Sequence, residues 1–268
     1  MNHAQEMPIS KVIIKREIYM RDNAINSNTI QLKPNYLWFL TLTYAMVIVL
    51  ANWFDPRLIK VFGLTTDAGT LIFPLTFLLS DLITEVYGYK HARRAIWCGF
   101  LFNALFILYG QVVTHMPSPD YPTNNQMFDT LLATNIRIII ASGISYLISE
   151  PLNSFVMAKL KIKMHGRFLG TRFLSSTIVA AGADSFIFGI IAFYAVMNNS
   201  NLISLILTMW FIKVIIEVMG LPVSIRLAKK LKQTEQLDIY DIRTKFNIFK
   251  LDTNYIEKDN EFGTINKK

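Results

Sequence analysis

Six apolar runs, at about 36–54, 68–88, 94–115, 131–158, 173–197 and 202–225, dominate this chain of 268 residues. Each is close to or above the roughly 17–25 residues that a helix needs to cross the hydrocarbon of a bilayer. In lipid, every backbone amide must find its partner within its own segment, so runs of this length specify helices. Composition agrees: 52% of residues are apolar and 13% aromatic, with only 17% charged, which does not suit a water-soluble surface. The fourth run is longer than a span requires and contains Pro151, which predicts a tilted, kinked or extended helix. The expected fold is all-α, a polytopic membrane bundle of six transmembrane helices.

The segments between the runs alternate in charge. Lys11, Lys15, Arg16, Arg21 and Lys33 precede the first run, and Lys90, Arg93 and Arg94 lie between the second and third. Lys159, Lys161, Lys163, Arg167 and Arg172 lie between the fourth and fifth, and Arg226, Lys229, Lys230 and Lys232 follow the sixth. The other connections hold only Arg57 and Lys60. Lys and Arg collect on the cytoplasmic side of spans, which predicts that both termini are cytoplasmic. The division expected is a cytoplasmic N-terminal tail over 1–35, a transporter-like membrane domain over 36–230 and a flexible C-terminal tail over 231–268. The same pattern explains the net charge of +8: the excess sits beside span ends, where it meets anionic lipid headgroups and not nucleic acid. The start lacks the order of a cleaved signal peptide, so insertion is expected to rely on the first span. A single cysteine, Cys98, permits no internal disulfide, and the four histidines offer no metal-ligand spacing.

Charges inside the runs carry the functional information. Asp81 and Glu85 stand four residues apart, on one face of the second span. The fourth carries Arg137 and Glu150, the fifth Asp184, and the sixth Lys213 and Glu217. An ionised group near the bilayer centre costs about 2.5–3.5 kcal/mol on insertion scales. Four therefore cost on the order of 10 kcal/mol, comparable with the stability of a whole domain. Such groups must turn inward and be compensated. Interhelical ion pairs alone could do this, for example Asp81 or Asp184 against Arg137 or Lys213, but buried pairs stabilise poorly compared with apolar packing. A polar cavity for a polar solute is the stronger reading, with Asn103 and Gln111 on the third span and Ser142, Ser145, Ser149 and Asn153 on the fourth as further lining. Enzymatic readings find no support. GxxxxGK[ST], HExxH and GxSxG do not occur, and Ala-Gly-Ala-Asp at 181–184 does not meet the GxGD pattern of intramembrane aspartyl proteases. No catalytic residue, cofactor or metal is expected.

The stretches FPLTFLLSDLITEVYG followed by ARR, Arg137 with ASGISYLISEPLNSFVMAKLK, GADSFIFGIIAF and FIKVIIEVMGLP, in this order over about residues 36–230, resemble the queuosine precursor transporter family, also grouped with vitamin uptake transporters. The resemblance implies a six-helix importer in the cell inner membrane that takes up 7-deazaguanine compounds for tRNA queuosine salvage. It also implies that the recurrent intramembrane charges fall on Asp81, Arg137, Asp184 and Lys213, with Glu85 in the D-x-x-x-E form of the motif. At Glu150 and Asn153 the family pattern resembles Gln and Asp, which implies a shift in substrate preference there. Within this resemblance Asp81 and Glu85 are expected to recognise the base edge, with Asp184 and Lys213 near the midplane and Arg137 at an outer gate. Expected partners are the 7-deazaguanine solute and membrane lipids, with either a homodimer or a separate energising module. A substrate-binding component that needs a partner ATPase is the alternative within this class, and an intramembrane enzyme the alternative outside it.

Overall fold

The computed structural model describes residues 29–30, 34–133 and 136–262. Its elements run in the order β1 (Thr29–Ile30), α1 (Leu37–Phe54), β2 (Leu58–Val61), β3 (Leu64–Asp67), a short 3-10 turn (Gly69–Leu71), α2 (Pro74–Tyr87), α3 (Tyr89–Thr114), α4 (Asn125–Ala133), α5 (Ile136–Lys163), α6 (Leu169–Phe193), α7 (Asn199–Glu235) and β4 (Tyr255–Ile256), then a last 3-10 turn (Glu257–Asp259). Among the described residues, five segments are long and apolar enough to cross a membrane: Leu37–Phe54, Gly69–Tyr87, Tyr89–Thr114, Leu169–Phe193 and Asn199–Glu235. The chain is therefore a mostly helical, multi-pass membrane protein. The expected fourth span maps onto α4 and α5. Helix α5 is long enough, at 28 residues, but Ser142, Ser145, Ser149, Glu150, Asn153 and Ser154 make its middle polar, and all six are buried. That face is held by the neighbouring helices, while Ile140, Ile144, Ile148 and Phe155 on the same helix are exposed.

Helix α2 is the axis of the bundle. It packs against α1, α3, α5, α6 and α7, and of its 14 residues only Leu75 and Leu79 are not fully buried. A helix enclosed on all sides meets protein in every direction, and this is why α2 tolerates Asp81 and Glu85. Pro74 starts it, at a position where the missing N–H costs nothing. Gly88 ends it with φ +86° and ψ 167°, in a region essentially restricted to glycine. Helix α3 begins at the very next residue. The expected loop between the second and third spans is thus a single residue, and Lys90, Arg93 and Arg94 belong to the first turns of α3. Helix α3 lies at the periphery, with Leu101, Phe102, Leu105, Leu108 and Tyr109 all exposed toward what would be lipid.

Two ends of the bundle can be told apart. At one, β2 and β3 pair as an antiparallel hairpin whose turn, Phe62 and Gly63, takes positive φ at both residues, as a two-residue hairpin turn requires. At the other, α7 runs on. Its 37 residues are about 55 Å long at 1.5 Å per residue, well beyond a hydrocarbon layer of roughly 30 Å. Its final carboxylate, Glu235, accepts from the backbone N–H of Asn35 at 3.0 Å and of Tyr36 at 2.8 Å, and from the Tyr87 hydroxyl at 2.8 Å. The start of α1, the end of α2 and the end of α7 therefore meet at one place.

The segment after α7 folds back over this tail end, whereas its aperiodic sequence suggested a flexible extension. Ile239 and Tyr255 are buried in the main apolar core. The Asp241 carboxylate accepts from Tyr89 N–H and from the Tyr255 hydroxyl, each at 2.8 Å. Arg93 donates to the carbonyls of Asn247 and Asp252 at 2.6 and 2.9 Å, and the Trp97 indole to that of Ile248 at 2.8 Å. Thr29 and Ile30 pair antiparallel with Ile256 and Tyr255.

Candidate functional site

The buried charges form a column through the bundle, in three tiers. Nearest the hairpin, Lys213 of α7 pairs with Asp184 of α6 at 2.5 Å, and Ser149 of α5 donates to the other Asp184 oxygen at 3.2 Å. The Lys213 ammonium also lies 4.8 Å from the centre of the Phe73 ring, a cation–π distance. This pair lines a narrow pocket with Asp55, Asp67, Ser142 and Ser145. Asp67 is fixed by Thr70, whose N–H and hydroxyl each donate to it at 2.6 Å. Asp55 follows directly after α1; burial, then the negative charge of Asp67, pushes its carboxyl well above the usual carboxylate range.

The middle tier belongs to α2, α5, α6 and α7. Asn153 Nδ2 donates to Asp81 Oδ1 at 2.7 Å and lies 3.0 Å from Ser80 Oγ, while Ser176 Oγ is 3.1 Å from Asp81 Oδ2. Glu150 stands one helical turn before Asn153, and Glu217 one turn after Lys213. Both glutamates are fully buried, and none of their carboxylate oxygens accepts a hydrogen bond among the described residues.

At the tail end Glu85 is enclosed by cations. Arg172 of α6 holds it with both nitrogens, Nη1 to Oε2 at 2.5 Å and Nη2 to Oε1 at 3.0 Å, and Lys232 reaches Oε1 at 2.5 Å. This two-point fork is the geometry for which arginine is suited and lysine is not. Lys161 of α5 lies 4.0 Å from the same oxygen and pairs with Asp238 at 2.6 Å, while Lys232 also pairs with Asp238 at 2.7 Å. Asp238 belongs to the segment folded back from α7. It thus joins the tail to the polar column.

Of the residues singled out in the sequence, the structure brings Asp81, Glu150, Asn153, Asp184 and Lys213 to the upper and middle tiers and Glu85 to the tail-end tier. Arg137 is not among them. Its side chain is exposed and donates to the carbonyls of Ile191 and Tyr194, each at 2.6 Å, where it satisfies the C-terminus of α6. Asn103 is buried on α3 but hydrogen-bonds none of the acids, and its Oδ1 has no partner among the described residues. Lys213 and Glu217, four apart on α7, make no ion pair because Lys213 turns to Asp184. Sequence reasoning missed Arg172, Lys161 and Lys232 as site residues, since each falls in a basic stretch that marks a span end. It also missed Asp55 and Asp67, which sit in a short connection.

A bundle whose lipid-facing surface is apolar and whose interior is lined with carboxylates, lysine and hydroxyls defines a multi-pass membrane protein with a polar core of the kind that handles solutes. The chain belongs to the putative vitamin uptake transporter family, whose model matches residues 67–227, a range that contains Asp81, Glu150, Asp184, Lys213 and Glu217. It is 26% identical over 191 residues to the probable queuosine precursor transporter of Bacillus subtilis strain 168, covering 70% of this chain and 82% of that protein. It is 29% identical over 161 residues to the queuosine precursor transporter of Escherichia coli K12, covering 59% and 69%. With the probable queuosine precursor transporter of Haemophilus influenzae Rd it shares 32% identity over 136 residues, covering 50% and 54%. No solved structure was found to match it.

Proposed function

We propose that this protein imports queuosine precursors, 7-deazaguanine bases, across the cell inner membrane, with α5 as a sixth span and both termini in the cytoplasm. The observation that carries this reading is the middle of the column: a carboxylate, Asp81, held in place by Asn153 and Ser176 deep in an apolar bundle, one step from the Asp184–Lys213 pair. The names borne by the relatives supply the solute class. The chemistry is compatible. A 7-deazaguanine presents adjacent N–H donors that a fixed carboxylate accepts in a two-point pair, and its carbonyl oxygen is an acceptor for Lys213. The meeting of Tyr36 and Glu235 at one end and the basic residues there support the orientation, since such charges collect on the cytoplasmic face.

The test is rescue of tRNA queuosine in bacteria lacking both precursor synthesis and their own importer, fed each 7-deazaguanine in turn. Expression of this chain should restore the modification at low external concentration, and Asp81→Ala or Lys213→Ala should abolish it at equal protein level. Restoration by both variants at the wild-type rate would falsify the assignment of these residues. No restoration by the wild type, with the protein verified in the membrane, would remove the solute class.

A further inference from the structure

The charges inside the bundle do not balance tier by tier. Glu85 is matched by Arg172 and Lys232, and Asp184 by Lys213. Asp55 and Asp67 remain at the hairpin end and Asp81, Glu150 and Glu217 in the middle tier, the last three on α2, α5 and α7, with α2 packed against each of the other two; among the described residues none of the five forms an ion pair. Asp81 at least accepts from Asn153 and Ser176. Among the described residues Glu150 and Glu217 accept no hydrogen bond, although both are buried, and the Thr177 hydroxyl beside Glu217 is itself without a partner.

Hydroxyls do lie beside Glu150, namely those of Thr76, Tyr44 and Ser80, but each has another acceptor within reach. Thr76 donates to the Phe73 carbonyl at 2.8 Å and Ser80 to that of Phe77 at 3.3 Å. Tyr146 donates to the Ile96 carbonyl at 2.8 Å, so in the 2.9 Å contact between Tyr44 and Tyr146 it is Tyr44 that donates. Buried carboxylates without donors are rare, and intramembrane acids mark the path of a charged partner. A metal ion does not fit, because no three acids or histidines among the described residues converge closely enough to ligate one. An ammonium group, a cation with three N–H donors, supplies what these oxygens lack.

We propose that Glu150 and Glu217 are the counter-ions for an ammonium group on the transported solute, so that among 7-deazaguanines this protein selects those bearing a basic amine. This rests on the transport reading above, with Asp81 kept for the base edge and the two glutamates for the substituent. Asp184 is not free for this role, because it already pairs with Lys213.

The experiment compares two 7-deazaguanines that differ only at the 7-substituent, aminomethyl against nitrile, as ligands for the purified full chain in lipid nanodiscs by titration calorimetry at neutral pH. The amine is expected to bind at least tenfold more tightly. In Glu150→Gln and Glu217→Gln the ratio should fall toward one while nitrile affinity is retained. A wild-type ratio near one overturns the inference whatever the variants do, and leaves the transport reading intact if both compounds bind. A preference that survives in both variants also overturns it. Binding by neither compound overturns this inference together with the reading on which it rests.

Discussion

Glu85 shows what a buried carboxylate needs. With Arg172 removed, its strongest partner is gone while its charge stays buried, and breaking such a pair typically costs about 3–5 kcal/mol. Arg172→Ala is therefore expected to lower the thermal unfolding temperature in detergent sharply, whereas the double variant Glu85→Gln with Arg172→Met recovers most of the loss. A single variant as stable as wild type would mean that Lys232 and Lys161 suffice. Asp55 makes a prediction of opposite character. Its folded pKa is raised, so its contribution to stability is fully present below the unfolded value near ~3.9 and is lost as pH rises through the folded value. Asp55→Asn is expected to be more stable than wild type at alkaline pH, with the difference shrinking as pH falls; equal pH profiles would refute this. The acids and Lys213 were legible in the sequence because a charge in an apolar run is conspicuous. Arg172 was not, since a basic residue at a span end has a sufficient explanation in topology, and only its zero exposure shows that it serves Glu85 as well. Arg137 stands apart from the column: a charge in an apolar run, yet near a helix start, where it reaches the carbonyls of Ile191 and Tyr194.

Among the elements, α2 and its junction with α3 decide the geometry. Gly88 has the backbone of a residue that must be glycine, and a Cβ there would clash with the Tyr255 hydroxyl. Gly88→Ala carries a backbone cost on the order of 1–3 kcal/mol and displaces the tail as well. The measurement is limited proteolysis beside thermal unfolding: the variant should be cut faster after α7, and an unchanged cleavage rate would show that the tail docks without this contact. Most helices were predictable from apolar length. Their limits were not, because α7 extends past the lipid-length run on polar residues and α5 is held by buried serines that hydropathy counts against it. The docked tail left no sequence signal. Its apolar residues are used singly, Ile239 in one place and Tyr255 in another, so no period forms.

For the whole molecule, the testable property is which end faces the cytoplasm. In a Cys98→Ser background, Phe62→Cys at the fully exposed hairpin tip should react with a membrane-impermeant maleimide applied to intact cells. Lys258→Cys, at the tail end, should react only after the membrane is opened. The reverse pattern would invert the protein. The sequence held this expectation in its alternation of basic and neutral connections, and the structure adds that the beginning of α1 and the end of α7 share Glu235.

The single residue between α2 and α3 also has a mechanical meaning. The helix that bears Asp81 and Glu85 cannot slide along its own axis alone, because there is no slack at Gly88 to take up the motion. An axial slide of α2 would haul α3, with its Leu101, Phe102, Leu105 and Leu108, through the surrounding lipid. The bilayer is in this sense a brake on the helix that bears the acids, and its fluidity would enter the rate of any such slide.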